Sequence, residues 1–170
     1  MNTVDLKILA LLQEDATRPV ADIAERVCLS PSACWRRIER LQEDGVIRKR
    51  VTLLDADKLG VGLVAFVSIR APEHSDSWLR GFLDAVRGIP EVVEFYRMSG
   101  EIDYLIKLQL DSVATYDAVY KRLIRATRLS DVTAAFALEQ LKYTTELPLP
   151  NRVSERLAAP VYGVSLTESS

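Results

Sequence analysis

The chain is poor in the residues that build disulfide frameworks and small metal centres. It has two cysteines, Cys28 and Cys34, and one histidine, His74, in 170 residues. Two thiols cannot supply a multi-bridge scaffold or a four-ligand zinc site. One imidazole argues against a conventional His-based catalytic or metal site. No apolar run approaches the roughly 20 residues that a membrane helix needs. The opening residues, Met1 to Asp5, have neither a basic stretch nor an apolar core, so no signal peptide is expected. An excess of either charge is missing too. Lys plus Arg is 22, Asp plus Glu is 24, and the net charge is -2, which excludes binding to polyanions by bulk charge alone. What is present is ordinary globular composition, 48% hydrophobic and 27% charged. At about 150 residues per domain the length allows one or two domains, enough to bury a core. The expectation is a soluble cytoplasmic protein with no metal and no membrane partner.

The small net charge conceals an uneven distribution. Residues 1–54 carry nine basic and eight acidic side chains; the remainder carries 13 and 16. Within residues 31–54 the basic side chains are Arg36, Arg37, Arg40, Arg48, Lys49 and Arg50, against Glu39, Glu43 and Asp44. A local basic patch binds phosphate even on an acidic chain.

Helical spacing dominates up to Leu54. Asp5 can cap a first helix through Leu6, Ile8, Leu9, Leu11 and Leu12. Pro19 opens a second helix through Val20, Ile23, Ala24 and Val27. After a break at Cys28-Leu29-Ser30, Ser30 and Pro31 start a third, running to Asp44 with Cys34 or Trp35, Ile38 and Leu41 inward and Gly45 as its stop. This is a helix-turn-helix layout. Ser32, Ala33, Arg36, Arg37 and Arg40 then fall on the outer face. Small side chains there let a helix approach base edges, and guanidinium forks suit phosphate or guanine. Arg48, Lys49 and Arg50, on a strand-like extension, are a second phosphate-contact candidate. The competing reading of the helix is a solvated charged face.

Beyond Gly60 strands and helices alternate. Strands are expected at Val61–Ile69, Glu91–Met98, Ile102–Leu110 and Val132–Leu141, and helices at Ser77–Val86 and Ser112–Ala126. Ser99-Gly100-Glu101 signals a turn. The order βαββαβ is ferredoxin-like, an antiparallel sheet with both helices on one face. Apolar residues on the other face imply pairing with a second subunit. The fold class is therefore α+β: a helix-turn-helix domain at 1–54, a linker at 55–60, a ferredoxin-like domain at 61–149 and a tail at 150–170. The tail either packs across a neighbouring subunit or is partly disordered.

Two stretches carry a resemblance. Leu29-Ser30-Pro31-Ser32-Ala33-Cys34-Trp35-Arg36-Arg37 followed by Leu41-Gln42-Glu43-Asp44-Gly45-Val46-Ile47, and then Ser99-Gly100-Glu101-Ile102-Asp103-Tyr104, resemble the Lrp/AsnC ("feast/famine") regulators over roughly residues 4–149. The Gly-x-x-Asp-Tyr turn is the most specific piece. Residues 96–100 and 136–145 are similar to the DecR-like branch, linked to cysteine detoxification. The resemblance implies a winged helix-turn-helix that binds double-stranded DNA, a homodimer that assembles further, commonly to an octamer, and an amino-acid effector bound between subunits. Carried over by motif, Ser99, Gly100, Asp103 and Tyr104 become effector-site candidates. Asp103 could accept from an ammonium group. Backbone N–H groups at Gly100 could approach a carboxylate. Met98 could line a side-chain pocket and Thr133 could donate from the last strand. The plainer readings are a turn-capping carboxylate for Asp103, core or interface packing for Tyr104, and structural roles for Met98 and Thr133.

The effector expected first is cysteine, from the branch resemblance alone. An architectural, nucleoid-associated protein of low sequence specificity is the competing function. An enzyme is not expected, because the chain offers no nucleophile–base constellation and no phosphate-binding loop. Cys34 reads as a small buried hydrophobe rather than a redox switch, and His74 as a solvated loop residue.

Overall fold

Asn2, rather than Asp5, begins the first helix, α1 (Thr3–Glu14). The Asn2 side chain accepts from the Asp5 N–H at 2.9 Å, and the Asn2 N–H donates to the Asp5 carboxylate at 3.0 Å. This reciprocal box satisfies two first-turn donors where a lone Asp5 cap would satisfy one. The computed structural model describes residues 1–73, 75–126 and 129–150; the expectations for His74 and for the tail beyond Pro150 lie outside them.

Helix α2 (Val20–Arg26) follows Pro19, whose φ of -57° suits a helix start. It ends in a Schellman arrangement, with Leu29 N–H on the Ala24 carbonyl at 2.9 Å and Cys28 N–H on that of Glu25 at 3.1 Å. The motif puts Cys28 at φ +56°, the one positive-φ residue besides glycines among the described residues. Helix α3 (Pro31–Glu43) starts as expected, with Ser30 Oγ accepting from the Ala33 N–H at 3.3 Å, and stops at Gly45, φ +71°. Ile8, Ile23, Ala24, Val27, Cys34 and Ile38 form the core of the three helices. The inward residue at the start of α3 is thus Cys34; Trp35 is 49% exposed. Arg48, Lys49 and Arg50, expected on a strand-like extension, form no strand within the chain.

Four strands make one antiparallel sheet: β1 (Leu63–Arg70), β2 (Val92–Arg97), β3 (Tyr104–Leu110) and β4 (Asp131–Phe136), in the order β2-β3-β1-β4. The period-2 pattern of β3 buries Tyr104, Ile106, Leu108 and Leu110 on one face with Ala65, Val67 and Ile69 of β1. Helices α4 (Asp76–Arg87) and α5 (Val113–Ala126) cover that face with Trp78, Phe82, Val86, Val119 and Leu123. The βαββαβ order is therefore ferredoxin-like. On the opposite face the register aligns Tyr96, Leu105, Ser68 and Thr133 in one row, and Phe66 stands between Lys107 and Ala135 in the next. Phe66 and Tyr96 are exposed there, and no helix covers them.

The last strand is shorter than its sequence pattern. It stops at Phe136, not Leu141, and residues 137–149 are irregular. Correspondingly the chain divides into a unit of residues 53–142 and a unit of residues 1–52 with, among the described residues, 143–150. The expected second domain ran on to Leu149. The Gln13 side-chain amide grips Leu147 twice. Its Nε2 donates to the Leu147 carbonyl and its Oε1 accepts from the Leu147 N–H, both at 3.1 Å.

Candidate functional site

Helix α3 carries the charge expected of a DNA-reading element, but the arginines are not equivalent. Cys34, Ile38 and Leu41 face the core. At 100° per residue this turns Arg36 and Ser32 directly away from it. Both are exposed, and so are Glu39 and Glu43 further along the same face. The exposed face is therefore free of acidic side chains in its N-terminal half, beside Ser32, Trp35 and Arg36. Ala33 is half-buried, on the flank.

Arg37 and Arg40 correct the expectation of three free forks on the outer face. Arg37 Nη1 donates to Asp5 Oδ1 at 2.8 Å, and Arg40 Nη2 to Asp5 Oδ2 at 3.1 Å. The side chains of Arg37 and Arg40 are 29% and 52% exposed; Asp5 is 1% exposed. The physical reason is that Asp5, as a box residue on α1, is buried with a full charge and needs partners. The first turn of α1 and the flank of α3 supply them. Burial pushes the Asp5 carboxyl up. The Asn2 N–H, the hydrogen bond from Arg37 and the fields of Arg40 and Arg37 outweigh it, holding the group below its ordinary 3.8. Among the described residues, Arg36, Arg48, Lys49 and Arg50 make no ion pair and are exposed. Burial raises the Cys34 thiol above its ordinary 9.0, with Arg37 offsetting only part. An inert packed thiol follows, not a reactive thiolate.

The second site residues cluster at the turn between β2 and β3. Met98, Ser99 and Gly100 are exposed there, and Gly100 adopts φ +124°, a conformation a side chain would strain. The turn is fastened from within: Met98 N–H donates to the Asp103 carbonyl at 2.8 Å, and Arg70 Nε to the Glu101 carbonyl at 2.8 Å. Asp103 itself ties the turn to the end of β1. Its N–H reaches the Ile69 carbonyl at 3.0 Å, and its Oδ2 accepts from the Ala71 N–H at 2.8 Å. So Asp103 does cap the turn, whatever else it binds.

Tyr104 departs from the expected ligand-facing position. It is 3% exposed, and its ring lies 5.6 Å from Trp78, 5.7 Å from Phe82 and 5.6 Å from Phe95. The alternation of β3 dictates this, because Tyr104 shares parity with buried Ile106 and Leu108. Thr133 is not brought to the turn either. It stands on β4, two strand spacings, about 10 Å, across the sheet from β3. Asp5 and Arg70 were missed as site residues. Nothing on α3 itself signalled Asp5, whose partners are 32 and 35 positions away.

A helical unit with an exposed basic helix, joined to a ferredoxin-like unit, defines a DNA-binding transcription regulator with a separate ligand domain. Residues 1–48 match the family "Winged helix-turn-helix DNA-binding", and residues 64–147 match "Lrp/AsnC ligand binding domain". The chain belongs to the Lrp/AsnC family of transcriptional regulators. It is 53% identical over 150 residues to the glutamate uptake regulatory protein of Zymomonas mobilis, covering 88% of this chain and 92% of the relative. It is 47% identical over 150 residues to the DNA-binding transcriptional activator DecR of Escherichia coli, covering 88% and 99%. Among solved structures, an AsnC family transcriptional regulator from Agrobacterium tumefaciens superposes with a TM-score of 0.83 at 55% identity, covering 87% and 97%. A transcriptional regulator of Neisseria meningitidis in complex with L-Met superposes at 0.82 and 32% identity, covering 87% and 96%. These relatives are regulators, and the chain is a regulator rather than an enzyme. No helix among the described residues is long and apolar enough to cross a membrane, and none of their acidic, Cys or His groups cluster as a metal site.

Proposed function

We propose that this protein is a cytoplasmic, sequence-specific regulator of amino-acid metabolism genes whose assembly or DNA affinity responds to a small amino acid. The observation that carries it is the N-terminal half of α3. Exposed Ser32 and an unpaired Arg36 stand there on a domain of the DNA-binding family. Ser32 and Arg36 read base edges, Ala33 leaves room at their side, and Arg48, Lys49 and Arg50 hold phosphates. Two copies pair through the uncovered sheet face, where Phe66, Tyr96 and Leu105 need burial. The pair reads half-sites about one helical turn apart. Assembly to an octamer follows the family resemblance.

The effector binds at the Met98–Gly100 turn, with the backbone N–H of Gly100 for its carboxylate and the Asp103 carboxylate for its ammonium. A site between subunits lets a neighbouring copy's Thr133 complete what one chain leaves apart. Cysteine is the first candidate. A relative solved with L-Met and another that regulates glutamate uptake make methionine and glutamate the comparison arms. A thermal-shift screen of the twenty amino acids tests the sensor: a ligand at 100 times its Kd raises stability by about 2.7 kcal/mol. No shift with any of them overturns the sensor reading. Operator and random duplexes test the reader. Arg36→Ala is expected to weaken operator binding at least tenfold at fixed salt. Equal affinity of the wild-type chain for operator and random DNA would instead favour the architectural reading.

A further inference from the structure

We propose that Asp5 is a positioning residue for DNA recognition: by holding Arg37 and Arg40 on the flank of α3, it withholds two guanidinium groups from phosphate. The inference rests on the reading of α3 as the DNA-contacting helix. Asp5 is 1% exposed and does not itself face DNA; it meets α3 through the two arginines. Each donates from one terminal nitrogen to a different carboxylate oxygen, and the N–H of Asn2 donates to the oxygen that Arg40 also uses. The three-point hold aims both forks toward α1. Among the described residues of α3 and the segment that follows it, the cations without an ion pair are then Arg36, pointing away from the core, and Arg48, Lys49 and Arg50.

The consequence is for discrimination rather than strength. Cations free to meet any phosphate raise affinity for every sequence, because counterion release is blind to bases. Phosphate contacts of that kind position a protein without specifying a site. An acidic chain with two arginines withheld therefore binds random DNA weakly and relies more on the contacts made by the end of α3. Arg37 and Arg40 also stitch α3 to α1, which fixes the angle at which Ser32 and Arg36 are presented.

Asp5→Asn keeps the shape and the acceptor for Asn2 while removing the charge. With the full-length chain, binding to operator and random duplexes is measured from 50 to 300 mM salt. Each phosphate newly contacted adds about 0.9 to the slope of log K against log salt. The expected result is a slope steeper by about 1 to 2, tighter binding to random DNA, and a specificity ratio lowered at least fivefold. Adding Arg37→Gln and Arg40→Gln to Asp5→Asn should return the slope to that of wild type. A folded Asp5→Asn protein with unchanged slope overturns the proposal. So does a shallower slope, which would mean that Asp5 presents the arginines to DNA instead. If Asp5→Asn does not fold, the comparison moves to the wild-type background. There Arg36→Gln should cut the slope by about 1 and Arg40→Gln by less than half as much, and equal cuts overturn the proposal. A wild-type chain that binds no duplex overturns the reading of α3 and this proposal together.

Discussion

The two units solve the problem of a small core in different ways. The ferredoxin-like unit stacks Trp78, Phe82, Phe95 and Tyr104 with centroids 5.1 to 5.7 Å apart and needs no buried charge beside them. The helical unit has a core of aliphatic side chains and one cysteine, with no aromatic ring among them, and adds a buried carboxylate gripped by two arginines. The reason lies in what α3 must do. A helix that presents a polar face to DNA has only a narrow stripe left for packing, and ionic contacts on its flank make up part of the difference. The difference teaches that one short helix, α3, carries both a packing stripe and exposed cations, with Arg37 and Arg40 turned to hold the buried carboxylate.

The largest test of that contrast is Phe82→Ala. Removing a fully buried ring costs about 3–5 kcal/mol. In a Trp35→Phe background, Trp78 is the remaining indole and lies beside Phe82, so its fluorescence follows unfolding of the sheet unit in urea. A transition within 1 kcal/mol of the parent would break the assignment of the aromatic cluster as its core.

The next is pH. Asp5 has a folded value below its unfolded one, so its ion pairs contribute fully above about pH 5. That contribution is lost as pH falls through the unfolded value near 3.8 and toward the lower folded one. Between pH 6 and 3 the melting temperature of wild type should therefore fall further than that of Asp5→Asn. Parallel curves would count against a charged Asp5.

The smallest sharpens the helical unit from the favourable side. Cys28 sits at φ +56°, where an L side chain costs about 1 kcal/mol and glycine does not. Cys28→Gly should raise stability by up to about 1 kcal/mol in chemical denaturation, and a loss would show that the thiol packs.

How far these features could be read from residues depends on the range over which they act. Ser30, Pro31 and Gly45 act on their own turn, and they marked both ends of α3. The alternation of β3 gave its buried face, Tyr104 included; the family motif pulled the same residue toward a ligand, and parity decided it. The sheet's last strand was overextended because Leu138 and Leu141 continue an apolar pattern, yet both are exposed beyond Phe136. Nothing local could pair Asp5 with Arg37 and Arg40, or Gln13 with Leu147, since each joins segments far apart in the chain. Element ends and buried faces were therefore legible from local pattern, while the long-range partners of charged and polar side chains were not.

The grip of Gln13 on Leu147 bears on how the molecule is made. A ribosome releases the three helices early, but the strand of chain that Gln13 holds emerges only after the whole sheet unit has been synthesised. The nascent reader waits, with one side unfinished, until its sensor exists. A chain cut short between Thr52 and Tyr143 would carry a complete α3 and still lack a piece of its own domain.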